Sequence, residues 1–99
     1  MPIAADSRVS AIKALAHPTR LLIAEALGKG PLCVSEIHSL TDADLSTVSK
    51  HLSLMREAGW ISCEKIGQHV RYHLACDCLP TFLRCIDSIT GTNATSCDC

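Results

Sequence analysis

Aromatic residues are almost absent from this chain. Among 99 residues there is one tryptophan, one tyrosine and one phenylalanine, at Trp60, Tyr72 and Phe82. Any core must therefore be built from aliphatic side chains. A domain this short gains limited stability from such a core, so burial against a second copy is expected. A basic excess is also missing: nine Lys and Arg stand against ten Asp and Glu, for a formal net charge of −1. A nucleic-acid surface would have to be a local patch, not a global field. No apolar run reaches membrane-spanning length. The start, MPIAADSRV, lacks the basic then apolar layout of a secretory signal, so a cytoplasmic protein without membrane contact is expected. No C-x-x-C redox motif occurs, and no nucleophile is visibly paired with a base, which argues against an enzyme.

What the chain does hold is periodic. Val9, Ile12, Leu15 and Ala16 predict a first helix over Asp6–Ala16, with Asp6 or Ser7 as its cap. Pro18 opens a second helix, Pro18–Leu27, which should turn Leu21, Leu22, Ala24 and Leu27 inward and Arg20 outward, and stop at Gly28. Leu32–Leu40 predicts a short third helix with Val34, Ile37 and Leu40 inward.

The organising stretch is TDADLSTVSKHLSLMREAG, Thr41–Gly59. Thr41, Asp42 and Asp44 suit a helix N-terminus, and Gly59 suits the left-handed residue beyond its end. Leu45, Val48, Leu52 and Met55 share one face. Ser46, Thr47, Lys50 and Ser53 share the other, a set suited to phosphates and base edges. The third helix, a tight turn and this helix form a helix-turn-helix.

Beyond Gly59 the period changes to two. Trp60–Ile66 and His69–Leu74 read as strands joined at Gly67-Gln68, a hairpin wing with Gln68 and Arg71 as backbone contacts. Leu79, Phe82, Leu83, Ile86 and Ile89 predict a last helix over Asp77–Ile89, whose wide apolar stripe should pack in a homodimer. The expected class is mainly α with a small β-hairpin: a winged helix-turn-helix of about five helices and a two-stranded wing. Residues 1–90 would form the DNA-binding and dimerisation domain, and 91–99 a mobile cysteine-bearing tail.

Together these pieces resemble the ArsR/SmtB family of bacterial winged-helix repressors. The resemblance rests on ALAHPTRLLIAEAL, LCVSEI, LSTVSKHLSLMREAGWI and GQHVRYHL, and covers about Ile12 to Ile89. It implies a homodimer on double-stranded operator DNA that lets go when it binds metal or metalloid ions or is modified at thiols. It also implies DNA contacts at Ser46, Thr47, Ser49, Lys50 and His51. Ser49 and His51 lie at the margin of the polar face and rest more on the resemblance.

Seven cysteines, at 33, 63, 76, 78, 85, 97 and 99, remain to be placed. An odd number of thiols in a reducing compartment suggests metal ligation or redox sensing rather than structural disulfides. Arsenical repressors of the family carry C-V-C in the third helix, but here the stretch is Cys33-Val34-Ser35. Cys33 is therefore assigned to packing, and Cys63, on the same strand face as Ile61, to the core. The family's zinc sensors take two ligands from about the positions of Cys76 and Cys78, as Asp and His. Their later ligand positions fall near Ile89 and Thr92, which cannot ligate. Cys76 and Cys78, with Cys97 and Cys99 on the tail and Cys85 two turns along the helix, are the candidate sensing thiols. Thiolates select arsenite or antimonite, Cd(II), Pb(II), Cu(I) or Zn(II). A place at a helix start should also lower a thiol pKa. Two alternatives stand: the same thiols sensing oxidants or reactive sulfur, and a thiol or metal-buffering protein without operator binding.

Overall fold

The first helix begins upstream of its expected caps. In the computed structural model, which describes residues 3–91 and their side chains from residue 7, α1 spans Ile3–Lys13, so Asp6 and Ser7 lie inside it. Ala14 and Leu15, just past its end, are buried. Val9 and Ile12 of the same stripe are 49% and 57% exposed.

Helix α2 (Pro18–Leu27) keeps the expected bounds. His17 is extended, as a residue before proline must be, and its Nδ1 accepts a bond from the Thr19 N–H at 3.1 Å. Leu22 is a correction: it is 41% exposed, while Ile23 is fully buried. A run of Leu-Leu-Ile-Ala offers four apolar residues in a row, and tertiary packing chose among them.

The expected third helix divides. Leu32–Cys33 form a short strand, β1, and only Val34–Ser39 are helical, as α3. Cys33 starts the helix: its N–H donates to Glu36 Oε1 at 2.9 Å, as does its thiol. Those two bonds, thiol first, hold the Glu36 carboxyl below its ordinary pKa. Ile37 is fully buried, but Leu40, expected inward, is 46% exposed.

Helix α4 (Leu45–Glu57) follows, then β2 (Ile61–Ile66) and β3 (His69–Leu74). The two strands pair antiparallel from Ile61↔Leu74 to Ile66↔His69. Gly67, at φ 62°, takes the first central position of the turn, where a II′-type hairpin needs positive φ. β1 adds to the other edge of β3, pairing Leu32 with Tyr72 and Cys33 with Arg71. The sheet is thus three-stranded, in the order β1-β3-β2, where a two-stranded wing was expected.

Helix α5 (Leu79–Thr90) starts two residues later than predicted, with Cys78 as its cap. Leu79 is fully buried and Leu83 packs against the core. Phe82, Ile86 and Ile89 of the same stripe are 36%, 36% and 83% exposed.

Ile23, Ile37, Val48, Leu52, Met55, Ile61 and Leu79 are the large side chains almost fully withdrawn from water. They come from α2, α3, α4, β2 and α5, so one core locks α4 to the scaffold. Trp60 adds a clamp: its indole N–H donates to the Ala11 carbonyl at 2.8 Å, and its ring stacks on Phe82 with centroids 6.0 Å apart. Trp60→Phe should keep the stacking and lose that bond. The expected cost is about 1 kcal/mol in urea unfolding. This arrangement of α3, turn, α4 and hairpin is a winged helix-turn-helix.

Candidate nucleic-acid interface and thiol pair

Asp44 decides where α4 begins. Its Oδ1 accepts from the Thr47 N–H at 2.8 Å and from the Ser46 hydroxyl at 3.0 Å. The Thr47 bonds, with a smaller part from Ser46, hold the Asp44 carboxyl below its ordinary value of 3.8. A carboxylate whose folded pKa is depressed stabilises the fold above its unfolded pKa, and this contribution disappears as pH falls through the folded value. Asp44→Ala should therefore lower the thermal midpoint at neutral pH. The difference from the parent chain should shrink below about pH 4 as the carboxyl protonates.

From that cap, Val48, Leu52 and Met55 point into the core with no exposure, and the Trp60 N–H bonds the Met55 carbonyl at 3.0 Å. Leu45, expected on the same inner face, is 49% exposed. The outer face carries Ser46, Thr47, Ser49, Lys50 and Ser53, all exposed. These are three serines, a threonine and one long cation along one side of a 13-residue helix.

His51 is not on that face. It is 8% exposed, and its Nδ1 accepts a bond from Arg20 Nε at 3.0 Å. Its ring lies 4.5 Å from that of His17. The histidine expected to touch DNA instead faces α2. Arg20, read as solvent-facing, is half-buried and also donates through Nη1 to the Lys13 carbonyl at 3.2 Å. Polar residue types hid this pair in the sequence. The signal available was helical position: residue 51 lies three after Val48 and four before Met55.

On the wing, Gln68 is exposed at the turn. Arg71 is exposed too, but it lies mid-strand opposite Glu64 and reaches its Oε1 at 3.5 Å. Lys65, which residue alternation did not single out, is exposed one residue before the Ile66–His69 pair that closes the hairpin.

The cysteines separate into classes. Cys63 was assigned to packing beside Ile61, yet it is half-buried and accepts a bond from Arg56 Nη1 at 3.2 Å. That bond raises the Arg56 pKa. Cys76 and Cys78 lie in the turn between β3 and α5, with the Leu79 N–H closing on the Cys76 carbonyl at 3.2 Å. Their sulfurs are 2.7 Å apart. The hydrogen bond with Cys76 pushes the Cys78 thiol above its ordinary pKa of 9.0, with burial and the Cys76 and Asp77 charges adding to it. The helix start was expected to lower that pKa; a second thiol at the same spot outweighs it.

Does the pair fit a soft ion? Zn–S bonds of about 2.3 Å at a tetrahedral angle put two sulfurs about 3.8 Å apart. The two side chains must therefore open by about 1 Å to share one ion, which the exposed Cys78, in a turn beside the half-buried Cys76, allows. Two thiols do not complete a site. Among the described residues no group of three or more His, Cys, Asp or Glu could hold a metal, so Cys85 does not join the pair within one chain. Cys97 and Cys99 lie outside the described residues.

Comparison with known proteins adds the lineage. The model of the bacterial regulatory protein arsR family matches residues 17–62, from the His17 cap through the whole helix-turn-helix into β2. The Escherichia coli regulator YgaV is 32% identical over 71 residues, 71% of this chain and 72% of that protein. The chain belongs to the arsR family. The Escherichia coli arsenical resistance operon repressor is 37% identical over 68 residues, 68% of this chain and 58% of its own length. Several other repressors are matched over little more than half of their length. The fold is shared with a homodimeric winged helix-turn-helix DNA-binding domain from Mycobacterium bovis, at a TM-score of 0.80 and 24% identity, covering 90% of this chain and 82% of that one. This family is one of transcriptional regulators. Among the described residues of this arsR-family chain, no helix is long and apolar enough to cross a membrane.

Proposed function

We propose that the chain is a cytoplasmic homodimeric repressor whose α4 reads an operator and whose thiols at the start of α5 release it. The supporting observation is the placing of Ser46, Thr47, Ser49 and Lys50, exposed together on a helix whose other face is locked into the core. Lys50 supplies the phosphate contact and the short hydroxyls reach base edges. For Ser46 to do so, its hydroxyl must leave Asp44. Gln68 and Arg71, with Lys65, give the wing its backbone contacts; Arg71 trades Glu64 for a phosphate. A second copy of the chain covers Phe82, Ile86 and Ile89 of α5, and Val9 and Ile12 of α1, five of the ten large apolar side chains that one chain leaves in water among the described residues. The homodimeric relative of the same fold supports this assembly.

The inducer reading rests on Cys76 and Cys78. Two thiolates favour soft ions: arsenite or antimonite, Cd(II), Pb(II), Cu(I) or Zn(II). Arsenite is preferred because a relative carries the name of the arsenical resistance operon. Cys97 and Cys99, or a thiol such as Cys85 from the second subunit, complete three sulfurs for a metalloid or four for a divalent ion. Because α5 both starts at this pair and carries the dimer face, opening the pair shifts that face and separates the two α4 helices from their half-sites. The raised Cys78 pKa adds a signature for a divalent ion such as Cd(II): the thiol must release its proton to ligate, so Cd(II) affinity should rise with pH across the neutral range, whereas As(OH)3 carries the thiol protons off as water and has no such dependence.

A second reading is favoured by the short approach of the two sulfurs. Transfer of two electrons to a peroxide or polysulfide, with loss of both thiol protons, would join Cys76 to Cys78 in a disulfide. Two measurements separate the readings. Cd(II) titration followed by thiolate-to-metal absorbance should saturate in the parent and be lost in Cys76→Ser with Cys78→Ser. Intact mass after peroxide should be unchanged on the ion reading and two hydrogens lower on the disulfide reading. An unchanged Cd(II) titration in the double variant would remove the ion site from this turn.

A further inference from the structure

One polar cluster is used by none of the above. His51 projects from the back of α4 into the contact with α2, where Arg20 Nε donates to its Nδ1 at 3.0 Å and the His17 ring leans on it at 4.5 Å. Arg20 holds three elements at once: its own α2, the end of α1 through the Lys13 carbonyl, and α4 through His51. We propose that Arg20 and His51 are positioning residues of the DNA-binding unit: their hydrogen bond fixes α4 against α2 only while His51 is neutral, so that operator affinity falls as the solution turns acidic. This rests on the reading of α4 as the DNA-contacting helix.

The chemistry needs a particular form of the ring. Arg20 is a donor only, so Nδ1 must present a lone pair and the proton of neutral His51 sits on Nε2. Protonation removes that lone pair and places an imidazolium against a guanidinium. The groups around the ring oppose the charge. From α2 come Arg20 and the His17 cap; burial acts in the same direction. Lys13 at the end of α1 and Glu57 of α4 line a cleft with Arg20, but neither they nor any titratable group of α3 or β2 contributes to the shift. Burial, then His17 and Arg20, thus hold His51 below its ordinary pKa of 6.5. A histidine with a depressed folded pKa stabilises its arrangement above the unfolded pKa and stops doing so as pH falls through the folded value. The affected arrangement is the angle of the recognition helix, which a bidentate or phosphate contact cannot tolerate losing.

The test is fluorescence anisotropy of a labelled duplex carrying the chain's own promoter region, at about pH 7.5 and about pH 5.5 and constant ionic strength. The parent dimer should bind weaker at the lower pH; where His51 is half protonated in both subunits the loss is about fourfold. His51→Gln, whose amide oxygen can still accept from Arg20 but cannot titrate, should flatten the ratio of the two affinities. A parent that binds equally or tighter in acid, or a His51→Gln variant that keeps the parent's ratio, overturns the proposal. Should that variant not fold, the imidazole titration of His51 by NMR decides in the parent and in Arg20→Met. The pKa should rise in Arg20→Met, and an unmoved one overturns the proposal. Lys50→Ala in the same assay separates the two readings. Undiminished binding removes α4 as the DNA reader and this proposal with it. Weakened binding without the His51-dependent pH response removes the Arg20–His51 catch alone.

Discussion

Lys50→Glu should lower operator affinity about a hundredfold or more and leave the fold intact. Lys50 is exposed on α4, and no core residue depends on it. A lysine on a phosphate contributes through counterion release, so its removal weakens binding on every sequence and reduces the salt slope by about one per site. The contact is lost twice in a dimer on two half-sites, so about 1.4 kcal/mol at each, a factor of about ten, gives about a hundredfold. Reversal to Glu adds repulsion to the lost contact. The near-neutral net charge sharpens the effect, because no general basic field compensates. Anisotropy at two salt concentrations measures it, with the thermal midpoint as the control. A loss confined to one sequence would mean that Lys50 reads a base.

Leu52→Ala should cost about 2–5 kcal/mol in urea unfolding. Leu52 has no exposed surface and sits in the one cluster that ties α4 to α2, α3, β2 and α5. Truncation there loses both apolar burial and close contacts, and a rigid helix with Val48 and Met55 fixed on either side collapses poorly into the gap. Against a total stability of about 5–15 kcal/mol, this is a large share for a small domain with an aliphatic core. The neighbouring Leu54→Ala is the internal comparison. Leu54 is 44% exposed on the same helix, and its change should cost well under half as much.

Much of this was legible from residue types alone, for reasons that can be named. Pro18 and Gly28 mark chemical stops, and α2 keeps the predicted bounds. The α4 stripe of Val48, Leu52 and Met55 alternates with hydroxyls and charges, so its period was visible. Gly67 permits the backbone that the hairpin needs. What escaped depends on contacts between distant residues. Strand β1 is two residues long and exists because Leu32 and Cys33 meet Tyr72 and Arg71, some forty positions on. Leu22 and Ile23 exchanged roles inside an unbroken apolar run. His51 looked like a DNA contact by type and by resemblance, and only the placing of Arg20 and His17 shows it facing inward. The Cys76–Cys78 pair was visible as C-D-C. Its raised thiol pKa was not, since it comes from the two sulfurs meeting in a turn before the helix has begun.

On the proposed reading, α4 holds the DNA and the cysteine turn just before α5 decides when it is released. Anisotropy of the labelled promoter duplex, titrated with arsenite, tests the link most directly in the parent chain and in Cys76→Ser with Cys78→Ser. The parent should release the duplex as arsenite is added, while the double variant binds it as tightly as the arsenite-free parent and stays bound throughout. A double variant that releases the duplex at the same arsenite concentration as the parent would contradict the link.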